Sequence, residues 1–101
     1  LPNNQPMNKH ETLSLIDGHF TADEAREVLI SIFQAKIHFH VMRNFSSQER
    51  FGCHDKVAME RLPILKKGLE RIQELVSRSS EINERLIVTA QVRIQFEEVG
   101  E

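Results

Sequence analysis

Several things are scarce in this 101-residue sequence, and each scarcity excludes something. One cysteine cannot form a disulfide within the chain, so a reducing compartment is the simpler setting. Trp and Tyr are absent, and the six Phe fall mostly where a core would want them. The exposed aromatic planes on which nucleic-acid and carbohydrate sites stack their ligands are not indicated. No apolar run approaches the roughly 18 residues that span a bilayer, and no secretory pattern is read. The expectation is a cytoplasmic protein with no membrane partner. Neither sign of charge dominates: 13 basic and 15 acidic residues leave a net charge of −2. A general polyanion binder usually carries a basic excess, and a membrane anchor a polybasic run. No internal repeat, low-complexity segment, paired-cysteine zinc spacing or glycine-rich phosphate loop occurs, so no cofactor is implied.

What is present is a change of period. From Leu86 to Val99 the chain alternates, with Val88, Ala90, Val92, Ile94 and Phe96 against Thr89, Gln91, Arg93, Gln95 and Glu97. Side chains of a strand point to opposite faces in turn, so this segment reads as a strand with one buried face. The preceding stretch, Ala58 to Val76, carries Ala58, Leu62, Leu65, Leu69, Ile72 and Val76 at alternating steps of four and three. That is a coiled-coil-like seam of about three heptads. Asp55 is its expected N-cap and Ser79–Ser80 its expected end. Pro63 lies inside and predicts a kink or a break, because it removes one backbone donor. Gly68 weakens the helix by roughly 1 kcal/mol relative to Ala, and permits close approach of another element.

An earlier helix is marked at its start by Thr21-Ala22-Asp23-Glu24, a capping box in which Thr21 and Glu24 satisfy each other's amides. It is expected from Ala22 to about Asn44, with two apolar stripes. One is Ala25, Val28, Ile32, Ala35, Phe39 and Met42; the other is Ile30, Phe33, Ile37 and Val41. Only Asp23, Glu27, Ser31, Gln34 and His38 form a polar strip, so the helix has neighbours on more than one side. Phe45 to Asp55 is expected as a loop of about ten residues, with Ser46-Ser47-Gln48-Glu49 as a second capping box. Before the first helix, Glu11 to Phe20 reads as a short strand ended by a turn or bulge at Asp17–Gly18. Residues 1–10 read as a flexible N-terminal tail.

The predicted order is strand, helix, helix, strand in a single α+β domain over 11–101. A two-helix hairpin packs on a small antiparallel sheet. Two strands alone are marginal, and dimerisation would complete the sheet.

Candidate chemistry is thin. His38 and His40 are two apart, and on a helix such residues point some 200° apart, so a shared metal is not expected. Cys53 and His54 lie beside the N-cap of the second helix, where a thiol can be activated, but adjacent side chains rarely face each other. Cys53 is expected buried or half-buried, His38 solvated and His40 at a packing margin. The preferred function is a small non-catalytic interaction or regulatory module that self-associates as a homodimer or binds a protein partner. The alternative is a small enzyme or a ligand- or metal-binding protein with its site near the inter-helix loop, built from His40, Arg43, Cys53 and His54. A weaker third reading is nucleic-acid binding through Lys66, Lys67 and Arg71. Those cations interleave with Glu60, Glu70 and Glu74, which is the pattern of a solvated helix face.

Overall fold

The computed structural model describes residues 9–100. The N-terminal tail expected over residues 1–10 therefore lies mostly outside the described residues. The element order is β1 (His10–Phe20), α1 (Ala22–Phe51), α2 (Lys56–Ile82) and β2 (Leu86–Gln95). This is the α+β order expected from the two periods, with a helical hairpin and a two-stranded antiparallel sheet. The chain divides into two compact units: the strands as far as Gly18 and from Ile87, and the hairpin with its flanks, His19–Leu86.

In the ribbon, β1 runs unbroken through Asp17 and Gly18. Gly18 does not adopt a positive φ, so the dipeptide turns nothing there. β2 stops at Gln95, short of the expected Val99, although the Phe96 amide still donates to the Lys9 carbonyl at 2.9 Å. Along β2, Leu86, Val88 and Ala90 are half-buried between exposed neighbours, which is the predicted alternation. It fades at Val92, Ile94 and Phe96, all exposed.

In the hairpin, both turns of the Thr21 capping box form: the Thr21 amide donates to Glu24 Oε1 at 2.9 Å, and the Glu24 amide to Thr21 Oγ1 at 3.2 Å. These bonds hold the Glu24 carboxyl below its usual pKa. The polar strip Asp23, Glu27, Ser31, Gln34 and His38 is exposed throughout. α1 does not end near Asn44, however. It continues to Phe51, where Gly52 takes a left-handed φ of 70° and its amide donates to the Gln48 carbonyl. A glycine C-cap ends this helix, and Ser46–Ser47 starts none. The inter-helix loop shrinks from ten residues to four, Gly52–Asp55.

α2 begins where Asp55 caps it, the carboxylate accepting from the Ala58 amide at 2.9 Å. The helix is continuous through Pro63, so the predicted break is absent. Ser79 and Ser80 do not stop it either. Ser79 is buried, and its hydroxyl donates to the Glu84 carbonyl. The terminator is Asn83, in the left-handed region at φ 54°. The α2 seam is as read from the sequence: Ala58, Leu65 and Val76 are buried and Leu62, Leu69 and Ile72 half-buried. No described helix is long and apolar enough to cross a membrane.

Gly68 performs the role its position suggested. A Cβ built there would lie 2.7 Å from Phe33 Cε2, so the Phe33 ring occupies the space a side chain would need. Gly68→Ala gains roughly 1 kcal/mol of helix propensity but forces the ring away, at a cost of roughly 1–3 kcal/mol for overpacking. The expected net effect is a loss of about 1 kcal/mol in urea denaturation. In a Phe33→Leu background the same change should turn neutral or stabilising, because the clash is gone.

Candidate functional site

The residues singled out for chemistry do gather at one end of the hairpin. Three side chains of the last turns of α1 reach over the four-residue loop. Arg43 Nε donates to Asp55 Oδ1 at 3.3 Å. Asn44 Oδ1 accepts from the Asp55 amide at 2.8 Å, and its side-chain amide lies 3.2 Å from His54 Nδ1. Ser47 Oγ donates to the Cys53 carbonyl at 2.9 Å. Asp55, which also caps α2, is held below its ordinary pKa by the Ala58 amide and by Arg43. The arrangement is a clasp: α1 fixes the loop, and the loop starts α2.

His40 sits in the same end of α1 but is buried, only 5 % exposed, where the sequence suggested a packing margin. Its place at the seam explains this. His40, Asn44 and Ser47 lie within about 60° of one another around α1 and are all buried or half-buried. The Phe39 ring meets the imidazole edge-on, 5.2 Å between centroids. Among the described residues His40 Nδ1 has no hydrogen-bond partner. Burial pushes the imidazole pKa below 6.5, and the cationic Lys36, Arg61 and Arg43 push it further, against a smaller opposing pull from Asp55. His40 is therefore neutral at pH 7. His38, two residues away, is exposed, as helical geometry requires.

Cys53 is exposed rather than buried, because the shortened loop carries it over the surface. No hydrogen bond joins its thiol to His54, whose Nδ1 faces Asn44. Arg43 is engaged with a capping carboxylate. Among the described residues no group of three or more His, Cys, Asp or Glu side chains could hold a metal ion. Lys66, Lys67 and Arg71 lie exposed on α2, and Arg71 Nη1 pairs with Glu74 at 2.9 Å.

The sequence reading missed Asn44 and Ser47, the two anchors of the clasp. Their signal was available: both stand at seam positions four and seven residues beyond His40, where a core would place apolar residues. It also missed an open hollow of about 320 Å³ at the other end of the hairpin, lined by Thr21, Asp23, Ser79, Asn83, Glu84 and Arg85. Thr21 there serves the capping box, Ser79, Asn83 and the Glu84 backbone serve the α2 C-cap, and Asp23 accepts from Arg26 at 2.8 Å. Compared with protein-family models, with curated proteins and with solved structures, the chain matches none.

Proposed function

We propose that this chain is a non-catalytic interaction module whose first partner is a second copy of itself. The observation that carries this reading is the apolar surface left uncovered. Among the described residues five hydrophobic side chains are buried, Ile16, Ala25, Ala58, Leu65 and Val76, whereas seventeen large ones are exposed.

The chemistry of the hairpin tip supports the same reading. Arg43, His54 and Asp55 are spent on holding the loop, and His40 is sealed between helices. Sedimentation velocity at tens of micromolar should give a dimer. A monomer at that concentration would overturn the proposal.

A further inference from the structure

His40 is the last buried side chain of α1, and a turn built of polar contacts lies beyond it. Phe33 packs on Gly68, and Arg43 reaches Asp55. His40 lies between these two crossings, opposite the start of α2, where Ala58 is fully buried. From His40 outward the described residues of α1 include none that is buried: Asn44, Ser46 and Ser47 are half-buried, and Phe45 and Phe51 are exposed. What closes the tip is the clasp of Arg43 on Asp55, Asn44 on the Asp55 amide and Ser47 on the Cys53 carbonyl. Hydrogen bonds between groups that water can reach are exchanged for water at little net loss. A segment with few buried apolar contacts and exposed hydrogen bonds opens locally, ahead of the rest. Below His40 the hairpin differs, with Ala25, Leu65 and Val76 buried.

The imidazole has no means of holding a charge where it sits. Among the described residues Nδ1 meets no acceptor. Lys36 and Arg43 on α1 and Arg61 on α2 bring three positive charges to bear on it, against one carboxylate, Asp55 in the loop. That carboxylate is already engaged by the Ala58 amide and by Arg43. A proton added to His40 makes a buried cation with no partner, which is far less stable than the same cation in water. The nearest way to water leads through the tip, because the clasp begins three residues further along α1.

We propose that His40 is a pH-sensitive latch: a proton on its imidazole releases the tip, from Arg43 to Val57, while the hairpin below keeps its packing. The latch does not depend on self-association. Its linkage is mass action by protons. The open tip restores the ordinary imidazole value of 6.5 and the closed tip holds it lower, so acid favours the open form. Between pH 7 and pH 5 the opening equilibrium rises by up to about twenty-five-fold, the limit reached when the closed form takes up no proton. Asp55 stays ionised over this range, since its own pKa is depressed, so the α2 cap is not what titrates.

Amide hydrogen exchange on the full chain tests this, read as protection factors at pH 7 and pH 5 so that the intrinsic rate drops out. The amides of Asp55 and Ala58, which donate to Asn44 Oδ1 and to the Asp55 carboxylate, should lose protection at least about five-fold at pH 5. Those of Leu65 and Val76 should change less than about two-fold. His40→Leu should abolish the loss. His54→Gln, which removes the exposed imidazole beside Asn44, should keep it. Unchanged protection at Asp55 and Ala58 would overturn the latch. So would a loss that persists in His40→Leu, one that His54→Gln removes, or one shared equally by Leu65 and Val76, which is global unfolding. Where His40→Leu does not fold, the wild-type chain decides by NMR. The His40 ring must titrate over the pH range in which the Asp55 amide loses protection, and a ring that titrates outside it overturns the proposal.

Discussion

Leu65→Ala is expected to lower the stability of the protein by about 3 kcal/mol in urea denaturation. Leu65 sits at the middle of the α2 seam and is buried, with Leu62 and Leu69 on either side half-buried. Truncation removes three carbons from contact and leaves a void that two long helices cannot close without bending. Val76→Ala, at a side chain only 1 % exposed, should cost somewhat less because fewer atoms go. The two sites lie about 16 Å apart on one helix, so their effects should add. Their sum approaches the whole stability of a small domain, and the double variant is expected not to fold cooperatively. Met59→Ala is the control. Met59 is exposed and off the seam, and its loss should stay within about 0.5 kcal/mol. All comparisons belong at one protein concentration, because association stabilises the folded chain by mass action.

The parts of this fold legible in the sequence were those written as a period. The seam of α2 and the strand alternation of Leu86, Val88 and Ala90 were read position by position, because burial on one face leaves a repeat that nothing else produces. Caps with a strong local signature were legible too: Thr21 with Glu24, and Asp55. What misled was polar residues inside helices. Ser46 and Ser47 look like a helix start, and Ser79 and Ser80 like an end, because serine competes for backbone hydrogen bonds. In the folded chain Ser47 and Ser79 send their hydroxyls to the carbonyls of Cys53 and Glu84 and continue their helices. The stop signals that operate are Gly52 and Asn83, the two positions with positive φ among the described residues. Pro63 misled in the same way. At the eighth residue of α2 it removes one donor well inside a helix, yet Ala58 and Leu65 on either side of it are buried and hold the helix together. The tip was legible as a cluster of residues but not as a structure. Only the shortened loop shows that Arg43, Asn44 and Ser47 hold the turn, and that His40 belongs to the seam.

The buried imidazole gives the protein an expected acid sensitivity well above the range where carboxylates titrate. In the unfolded chain His40 takes up a proton near pH 6.5. In the folded chain it resists protonation for three reasons. It is buried with Nδ1 unpartnered, Lys36 and Arg43 lie on its own helix, and Arg61 faces it from α2; Asp55 in the loop opposes them only in part. Its folded pKa is thus depressed, and the unfolded state binds more protons at any pH between the two values. Stability must rise with pH through that window. It is complete above about 6.5 and is lost as the pH falls below it. Asp55 has the opposite chemistry but the same sign of slope. Its depressed pKa contributes stability above the ordinary carboxyl value of 3.8, lost only as the pH falls through its still lower folded value. A fall in melting temperature between pH 7 and pH 5 is therefore the expected signature of His40. His40→Leu keeps the volume, removes the orphaned nitrogen and cannot titrate. It should raise the melting temperature at pH 7 by a few degrees and flatten the profile between pH 7 and 5, while leaving the acid limb below pH 4 in place. Added salt should shallow the wild-type slope, since screening weakens the repulsion from Lys36, Arg43 and Arg61. A His40→Leu protein with the wild-type slope between pH 7 and 5 would show that the proton is taken up elsewhere.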